Sequence, residues 1–456
     1  MPPPRLAWDR GTLLWDAGVG DLSPPGFQWD DRIRKLRAPG VAYREAVEWL
    51  RAERHPFEDA ARAWAPLADL VHHAPRASRP YQAEAVTAWC AAGRRGVVVL
   101  PTGSGKTWVA ECCIADTRRP TLVVVPTIDL LAQWAHRLAT AFALPIGVLG
   151  GGSHEICDLT VSTYASAYLH VEHVGNRFAL VIFDEVHHLP AERHAAIAEG
   201  LLAPFRLGLS ATPERADEGH RLLDLLVGPE VYRREIRELS GRFLAPYETV
   251  RLEVHLDRAE RQAYAAARQV YRSFVALKRI DLRKPDGWQR FLQVASRSRA
   301  GRAAFQAWRE ARAIAHGTGR KLDLLEDLLA EEAGRPTLVF TDDNATAYRI
   351  SREMLIPCIT HETPARERET ILAGLGDGTY RAVVTSRVLN EGVDLPAVEI
   401  GVVVSGSGSV REHVQRLGRI LRPGPGKQAI LYELVTADTA EERTSDRRRD
   451  HEAYDA

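Results

Sequence analysis

The sequence predicts an α/β protein with two tandem domains, each a parallel sheet flanked by helices, preceded by a small N-terminal domain. Short unbroken runs of Val, Ile and Leu alternate with helical segments between residues 79 and 232, and the same alternation returns between residues 320 and 435. Such runs indicate strands that are buried on both faces, as in parallel sheets whose strands are joined by helices. A helical, arginine-rich stretch at residues 257–321 predicts an insertion in the second domain.

The elements follow in chain order. Helical periodicity runs through Val41–Ala63 and ends in a breaker-rich stretch at residues 72–78. Candidate strands of the first series are Gly96–Leu100, Thr121–Val125, Leu159–Ser162, Leu180–Phe183 and Arg206–Ser210. Those of the second series are Thr337–Phe340, Ala382–Thr385, Glu399–Val404 and Gln428–Leu434. The tail Glu441–Arg449 mixes charges of both signs and is expected to be a solvated helix or a frayed end. We therefore predict domains at 1–76, 77–240 and 241–456, with a cleft between the two α/β units.

Composition excludes several classes of protein. The 456 residues are 45% hydrophobic, which is enough to bury a sizeable core and excludes wholesale disorder. No run of about 18 apolar residues occurs, and the start lacks the apolar segment of a secretory signal, so the sequence predicts a cytoplasmic chain without membrane contact. The five cysteines show no Cys-x-x-Cys spacing, which excludes an iron–sulfur cluster or zinc ribbon.

Charge is segregated along the chain. The 60 Lys+Arg and 60 Asp+Glu residues cancel overall. Residues 257–321, however, hold 16 basic and 5 acidic residues, a local charge of +11, so the remainder carries −11. An arginine excess that acidic residues do not offset is the electrostatic pattern of a polyanion-binding segment.

A phosphate-binding loop is predicted between the first strand of the first series and the helix that follows. The residues after Leu100-Pro101 are Thr102, Gly103, Ser104, Gly105, Lys106 and Thr107. Backbone N–H groups of such a turn, with the helix dipole behind them, form a nest for the β- and γ-phosphates of ATP. Lys106, one of six lysines, would reach the terminal phosphates, and the Thr107 hydroxyl would bind Mg²⁺. Leu100 stands where the general pattern has its first glycine.

Two carboxylates end a later strand of the same series. Asp184 would hold Mg²⁺ through water, and Glu185 would polarise the attacking water. An Asp-Glu pair alone is often a solvated turn, but a phosphate-binding loop upstream favours the catalytic interpretation. We interpret His187 as a link between the nucleotide site and the neighbouring lobe rather than as a metal ligand.

With these motifs the chain resembles the superfamily-two helicases of the DExH type. Arg79-Pro-Tyr-Gln82 is similar to the adenine-recognising motif, and Ser210-Ala-Thr212-Pro to the motif that couples hydrolysis to nucleic acid. Thr385 to Pro396, with Gly392 and Asp394, resembles motif five. Gln415 to Arg422 resembles motif six, in which Arg419 and Arg422 are the arginine fingers by resemblance. The resemblance implies two RecA-like lobes that close on ATP and Mg²⁺.

Within that superfamily the chain is most similar to the xeroderma-pigmentosum-B (XPB) type of DNA repair helicase, in its short prokaryotic form. The Asp184-Glu-Val-His box and the stretch from Gly406 to Arg422 carry this resemblance. The segments at Trp8 and Trp29 are similar to the small damage-recognition domain of that family, and residues 257–321 take the place of its thumb insertion. The Arg-Glu-Asp element implicated in unwinding reads Arg215-Ala216-Asp217 here, which puts strand separation in doubt.

The resemblance implies a DNA-dependent ATPase that moves 3′ to 5′ on a single strand or forked duplex. No nuclease constellation is evident in the sequence, so strand cutting would need a nuclease or other repair protein as partner. Phosphate contacts by resemblance include Thr127, Thr163, Thr363 and Thr385, alongside the Gly150–Ser153 loop, whose simpler interpretation is a connector. The insertion adds Arg297, Arg299 and Arg302, with Tyr264, Tyr271, Phe274, Trp288 and Phe291 interleaved. These aromatic residues suit either base stacking or a helical core. Two alternatives remain open: a double-strand translocase that does not separate strands, and an ATP-switched sensor of DNA structure.

Overall fold

The computed structural model describes residues 3–16, 23–73, 76–213, 221–284, 286–386, 398–421 and 426–449. Contacts divide the chain into two compact units, one ending at Leu239 and the other beginning at Ser240. Each unit is built around its own parallel sheet. No helix in the described ranges combines the length and the apolar character that crossing a membrane requires.

The first unit begins with a small sheet that packs on the larger one. Its five strands lie in the order β3-β4-β2-β1-β5, and they are β1 Arg5–Asp9, β2 Thr12–Asp16, β3 Gln28–Asp30, β4 Lys35–Pro39 and β5 Glu58–Ala60. Helix α1 (Tyr43–Ala52) covers this sheet with buried Leu50, which shares a core with Trp15 and with Leu202 of the larger domain. The helix predicted through Val41–Ala63 is therefore wrong beyond Ala52, because residues 58–60 pair in parallel with β1.

The larger sheet of this unit has eight strands in the order β13-β6-β12-β11-β7-β10-β8-β9. They are β6 Arg95–Val99, β7 Thr121–Val125, β8 Ile146–Gly150, β9 Ser153–His154, β10 Leu159–Thr163, β11 Leu180–Asp184, β12 Phe205–Ser210 and β13 Glu230–Arg233. All pairings are parallel except that of β9 with β8. Residues of β7, β10 and β11 are buried throughout, as the apolar runs predict.

Helices join these strands and leave the carboxyl edge of the sheet to loops. They are α2 Pro80–Ala91, α3 Lys106–Thr117, α4 Ile128–Phe142, α5 Tyr164–Val174, α6 Glu192–Gly200, α7 Leu222–Leu226 and α8 Ile236–Leu239. Thr127 caps α4 and Thr163 caps α5, each side-chain oxygen accepting a backbone N–H of the first turn. Helix α3 begins directly after Gly105, whose left-handed backbone ends the loop after β6.

The second unit holds a fully parallel six-stranded sheet in the order β14-β19-β18-β15-β17-β16. Its strands are β14 Tyr247–Val254, β15 Thr337–Phe340, β16 Cys358–Ile359, β17 Ala382–Thr385, β18 Ile400–Val403 and β19 Ala429–Thr436. The helices that follow β15 along the chain are α13 Asn344–Met354, α14 Ala365–Gly376, α15 Val410–Ile420 and α16 Ala440–Arg449. Two tandem parallel-sheet units confirm the predicted fold class.

A helical insertion separates β14 from β15. It comprises α9 Arg258–Leu277, α10 Gly287–Ser296, α11 Arg299–Gly317 and α12 Gly319–Glu331. The first three pack on a small core that contains Tyr271, Phe274 and Phe291. At the corner between α10 and α11, Gly301 approaches the Ala295 backbone so closely that a Cβ atom there would clash with it. The helical character predicted for residues 257–321 is confirmed, but the last helix continues to Glu331.

A buried ion pair joins this insertion to the C-terminal helix. The Lys321 ammonium group donates to the Glu441 carboxylate oxygens at 2.9 and 2.7 Å, and to the Val404 carbonyl oxygen at 2.7 Å. Neither side chain of the pair is exposed to solvent. The tail is thus a helix, as predicted, but it is not simply solvated, because Glu441 and Ser445 are buried.

We expect Glu441→Gln to destabilise the second unit by about 3–5 kcal/mol, because loss of the carboxylate leaves the buried Lys321 charge without its counter-charge. Thermal unfolding followed by circular dichroism would show the transition of that unit at a lower temperature. Glu442→Gln, a change of the next residue on α16, serves as the matched control. An unchanged transition in the Glu441→Gln variant would contradict the expectation.

Candidate functional site

The predicted nucleotide-binding residues meet at the carboxyl edge of the eight-stranded sheet. Strands β6, β12 and β11 are neighbours and run in parallel. The phosphate-binding loop follows β6, Ser210 ends β12, and Asp184 ends β11. Parallel strands present their carboxyl ends at one edge, which is where ligands bind in open α/β sheets.

The phosphate-binding loop has the backbone geometry that its glycines predict. Gly103 and Gly105 adopt φ values of +83° and +89°, which residues with a Cβ atom rarely adopt. Ser104 is buried, and its hydroxyl donates to the Pro101 carbonyl oxygen at 2.7 Å. Lys106 begins α3, and its ammonium group donates to the Leu100 carbonyl oxygen at 3.2 Å, so that it lies across the loop. The N-terminus of α3 adds its positive dipole end to this loop.

The predicted adenine-recognising residues are bonded to this loop. The Gln82 amide group donates to the Ser104 carbonyl oxygen at 2.9 Å, and the Tyr81 hydroxyl donates to the same oxygen. The Gln82 side-chain oxygen accepts the Arg79 backbone N–H at 3.0 Å. A Cβ atom at Gly105 would lie 2.6 Å from the Gln82 amide nitrogen, so that a larger residue than glycine does not fit there. Gln82 is fully buried and therefore holds one orientation.

The two carboxylates after β11 lie in different environments. Burial, followed by the neighbouring Glu185 charge, raises the pKa of Asp184 to about 6, although the nearby Lys106 charge opposes this effect. The Trp134 indole N–H donates to Asp184 Oδ2 at 2.8 Å, and the Glu185 backbone N–H donates to Oδ1 at 3.0 Å. Glu185 has a left-handed backbone with φ of +46°, which is unusual for a residue with a side chain and is typical of functional sites.

Several oxygen atoms at this edge suit a nucleotide and a divalent cation. Glu185 Oε2 and the Thr102 hydroxyl are buried and make no hydrogen bond within the described part of the chain. The Asp184 carboxyl group is desolvated, and a bound cation would lower its pKa again. Thr107 lies in the first turn of α3, two residues after Gly105. The residues present therefore fit MgATP.

The predicted coupling residues of this unit are also brought together. His187 Nδ1 lies 3.2 Å from the Ser210 hydroxyl and 3.4 Å from Glu185 Oε2. The Ser210 oxygen accepts the Thr212 backbone N–H at 3.1 Å. The imidazole thus connects the carboxylate after β11 to the turn after β12. Its predicted link to the neighbouring lobe remains a prediction.

The predicted motif-six residues of the second unit lie on α15. Gln415 is 2% exposed and Arg419 6% exposed, so both are held inside the protein rather than on a solvated helix face. Between them, the Arg416 guanidinium group lies over the Phe340 ring, 5.4 Å from its centroid. Four predicted features lie outside the described residues: Arg422, Gly392, Asp394 and the Arg215-Ala216-Asp217 element.

In the first unit, the candidate phosphate contacts lie beside one another at the same carboxyl edge. Thr127 follows β7, Thr163 ends β10, and these strands pair with Thr163 opposite Val125. The Gly150–Ser153 loop follows β8, the next strand. A Cβ atom on Gly150 would lie 3.2 Å from Thr163 Cγ2 and 3.4 Å from Leu131 Cδ1 of α4. The loop therefore packs against both capped helices.

The candidate phosphate contacts of the second unit, Thr363 and Thr385, lie in different surroundings. Thr363 lies in a turn, where its hydroxyl oxygen accepts the Thr360 backbone N–H at 2.9 Å. Thr385 is fully buried, and its hydroxyl donates to the Ser386 carbonyl oxygen at 3.2 Å. The Thr385 carbonyl oxygen accepts the backbone N–H of Thr341, which ties the ends of β15 and β17 together.

The basic corner of the insertion is exposed. Arg297, Arg299 and Arg302 lie around the turn between α10 and α11, and no ion pair engages them among the described residues. Most of the interleaved aromatic residues do not accompany them. Tyr271, Phe274 and Phe291 are buried in the core of the insertion, so of the two interpretations left open the helical core applies to these three. Trp288 remains 37% exposed.

Comparison with known proteins identifies the family. Family profiles described as Xeroderma pigmentosum group B helicase damage recognition domain, Type III restriction enzyme res subunit, and ERCC3/RAD25/XPB C-terminal helicase match residues 6–61, 76–215 and 321–452. The chain is 44% identical over 372 residues to the DNA 3′-5′ translocase XPB2 of Sulfurisphaera tokodaii, covering 82% of this chain and 84% of that protein. The chain belongs to the XPB family of helicases. The resemblance inferred from the motifs is thereby confirmed.

Other XPB-family relatives are longer. The DNA 3′-5′ helicase XPB of Kineococcus radiotolerans is 33% identical over 381 residues, which cover 80% of this chain and 61% of that protein. Among solved structures, the Pyrococcus furiosus Hef helicase domain matches with a TM-score of 0.54 at 20% identity, covering 82% of this chain and 98% of that domain. At that identity the match concerns the fold alone, and it confirms the tandem RecA-like architecture.

Two aromatic residues that bond Asp184, Trp134 and Tyr164, were not predicted from the sequence. Besides the Trp134 indole at Oδ2, the Tyr164 hydroxyl donates to the Asp184 carbonyl oxygen at 3.1 Å. In the sequence both residues look like ordinary core positions of amphipathic helices. Only the parallel order of β11, β7 and β10 places these helices beside Asp184.

Proposed function

We propose that the protein is an ATP-dependent DNA translocase and helicase of XPB type, which moves 3′ to 5′ and unwinds or remodels DNA in repair. The observation that carries the proposal is a single carboxyl edge on which the phosphate-binding loop, Asp184-Glu185 and the candidate phosphate contacts Thr127 and Thr163 lie on neighbouring strands. The Sulfurisphaera relative is named a DNA 3′-5′ translocase, which supports DNA as the substrate.

In this proposal each residue has a defined task in hydrolysis. Loop amides from Thr102 to Gly105 and the Lys106 ammonium group bind the β- and γ-phosphates, while Gln82 and Arg79 bind adenine. Thr107 and Asp184 hold Mg²⁺, which when bound neutralises developing charge on the phosphates. Glu185 orients the attacking water and accepts its proton.

Coupling to DNA is assigned to residues of both units. His187, Ser210 and Thr212 connect the hydrolytic carboxylate to the turn after β12. Arg419 and Arg422 act as arginine fingers, with Gln415, Gly392 and Asp394 as further motif residues of the second unit. Planar guanidinium groups suit this task because they bind phosphate oxygens in pairs.

The proposed domains follow the predicted boundaries. Residues 1–76 act as the damage-recognition-like domain, 77–240 as the first lobe and 241–456 as the second, with 257–321 as its thumb. We propose a cytoplasmic, prokaryotic protein that works with a nuclease or another repair protein. The sequence shows no nuclease constellation of spaced acidic residues with a following lysine, so strand cutting requires such a partner.

Translocation on duplex DNA without strand separation is the second candidate function. The observation that favours it is Arg215-Ala216-Asp217, which lacks the central carboxylate of the unwinding element. The chain then uses the same hydrolytic site to move along DNA while the duplex stays closed.

The test is ATP hydrolysis measured with single-stranded, duplex and forked DNA and with RNA. We expect DNA to stimulate hydrolysis and RNA to stimulate it less. Release of a strand from the forked duplex would support helicase activity, whereas displacement of a triplex strand without fork opening would support the translocase. Equal rates with and without every nucleic acid would contradict both proposals.

Charge reversal at the basic corner should weaken DNA binding steeply. We expect Arg297→Glu, Arg299→Glu and Arg302→Glu together to lower affinity for forked DNA by about 100-fold or more at low salt, since phosphate neutralisation dominates such affinity. Fluorescence anisotropy measures the change, and an unchanged thermal unfolding temperature shows that the fold is intact. Replacing Arg443 by Glu, an exposed arginine on α16, shows the effect of one charge reversal away from the corner. Wild-type affinity in the triple variant would contradict the assignment.

A further inference from the structure

The Asp184 residue is held by hydrogen bonds from two aromatic side chains on two different helices. The Trp134 indole N–H donates to carboxylate Oδ2 at 2.8 Å, and the Tyr164 hydroxyl donates to the backbone carbonyl oxygen at 3.1 Å. Both aromatic residues are buried, at 2% exposure each. The remaining carboxylate oxygen accepts the Glu185 backbone N–H. The orientation of Asp184 thus depends on where these helices lie.

Each of these helices begins at a candidate DNA contact. Thr127 caps α4, and its hydroxyl oxygen accepts the Leu130 backbone N–H at 3.2 Å. Thr163 caps α5, and its hydroxyl oxygen accepts the Ser166 backbone N–H at 3.1 Å. Trp134 is seven positions after Thr127, about 10 Å along a rigid helix, and Tyr164 is the residue after Thr163.

The two capped ends also pack on one loop. Gly150 lies so close to both that an added Cβ atom would be within 3.4 Å of Leu131 on α4 and of Ser166 on α5. A DNA phosphate bound at these helix ends would compete with the cap oxygens for the backbone N–H groups of the first turns and would draw the helices toward it. Since hydrogen bonds are steeply sensitive to distance and angle, a small helix shift changes the bond to the Asp184 carboxylate.

We infer that Trp134 and Tyr164 are positioning residues that transmit DNA binding at Thr127 and Thr163 to Asp184. Only the part of this inference that concerns DNA binding rests on the proposed function. Trp134 should affect Asp184 more than Tyr164 does. Its indole bonds the carboxylate that would hold the cation, whereas the Tyr164 hydroxyl bonds the Asp184 backbone. Neither residue touches the reacting atoms in this arrangement.

Trp134→Phe is the decisive variant because it removes the indole donor and keeps an aromatic ring in the core. Binding of a fluorescent ATP analogue is titrated with Mg²⁺ and compared with binding in EDTA. We expect the Mg²⁺ concentration for half-maximal enhancement of binding to rise about tenfold, as for loss of a hydrogen bond to a charged group. Binding in EDTA should stay within about twofold of wild type.

Trp89→Phe is the matched control. Its indole N–H is also buried in the first unit, but it donates to the Arg206 carbonyl oxygen at 2.9 Å, at the opposite end of β12 from Ser210. We expect this variant to keep the Mg²⁺ dependence of wild type. An equal shift in both tryptophan variants would overturn the inference, since it would mean that lost packing rather than the Asp184 bond is responsible.

The coupling to DNA is tested by a double-mutant cycle with Thr127→Ala. We expect Trp134→Phe and Thr127→Ala each to reduce the stimulation of ATP hydrolysis by DNA, and the double variant to lose little more than either alone. Additive losses would overturn the coupling. Should Trp134→Phe fail to fold, Tyr164→Phe in the same cycle with Thr163→Ala decides the question by the same criterion.

Failure of the proposed function is distinguishable from failure of this inference. A wild-type protein whose hydrolysis no nucleic acid stimulates contradicts the proposed function, whereas the Mg²⁺ titration still tests the bond from Trp134 to Asp184. A DNA-stimulated wild type, with unchanged Mg²⁺ dependence and stimulation in Trp134→Phe, overturns the inference alone.

Discussion

Glu185→Gln is expected to stop ATP turnover and to leave nucleotide binding nearly unchanged. The side chain lies at the carboxyl end of β11, where its Oε2 is buried and makes no hydrogen bond within the described residues. A carboxylate oxygen that accepts no hydrogen bond is available to accept a proton. The amide group of glutamine has the same shape but does not accept one. Loss of a positioned general base lowers kcat by about 100- to 10,000-fold.

Binding survives in this variant because the phosphate-binding loop does not depend on the Glu185 side chain. Its backbone N–H, which bonds Asp184 Oδ1, is retained by glutamine. Release of phosphate measures turnover, and a fluorescent ATP analogue measures affinity. Glu199→Gln, an exposed glutamate on α6, is the control and should hydrolyse ATP like wild type. Hydrolysis by Glu185→Gln at the wild-type rate would show that another group activates the water.

The parallel strands could be predicted from the sequence because burial on both faces leaves a direct trace in composition. Thr121–Val125 and Thr337–Phe340 occur as predicted, and Leu180–Asp184 is longer than predicted by one residue. The strand at residues 58–60 could not be predicted in the same way. It is short and polar, and it pairs with β1 at the edge of the small sheet, so tertiary pairing rather than local pattern determines it.

The candidate nucleotide site could be predicted in more detail than the candidate DNA contacts. Loop glycines, a lysine and terminal carboxylates are required by phosphate chemistry at fixed positions along the chain, so their spacing predicts such a site. A phosphate contact requires only a hydrogen-bond donor, which many residues supply. Thr385 illustrates the difference, because its hydroxyl is turned inward to the Ser386 carbonyl oxygen.

Aromatic residues show a further limit of sequence reasoning. In the insertion, Tyr271 and Phe274 on α9 stand three residues apart among arginines, and this helical spacing fits a core and a stacking surface equally well. Both lie in the core, where the Tyr271 ring meets the Phe291 ring of α10 edge-to-face with centroids 5.4 Å apart. Conversely, Trp134 has the sequence pattern of a core residue, yet its indole nitrogen bonds the Asp184 carboxylate. Helical spacing identifies the buried face but not the partner of a polar atom on it.

Lys106→Ala should abolish turnover by a different route, through loss of nucleotide binding. The ammonium group lies across the phosphate-binding loop, where it donates to the Leu100 carbonyl oxygen at 3.2 Å. Exchange of that neutral partner for a terminal phosphate oxygen gives a charge-assisted bond, and loss of such a bond weakens binding by about 10- to 100-fold. Because the same charge stabilises the transition state, hydrolysis should fall further than affinity.

Lys35, a second lysine of the same unit, offers a control that separates the loss of phosphate binding from a general loss of positive charge. Lys35 forms an ion pair with Asp16 at 2.8 Å in the small sheet, away from the carboxyl edge. Lys35→Ala should therefore bind and hydrolyse ATP like wild type, because it removes the same charge without touching the phosphate-binding loop. Lys106→Arg retains a cation, but its planar fork does not fit a nest shaped for a compact ammonium group, so partial binding with little turnover is expected. ATP affinity and turnover of Lys106→Ala equal to those of Lys35→Ala would exclude the loop after β6 as the phosphate site.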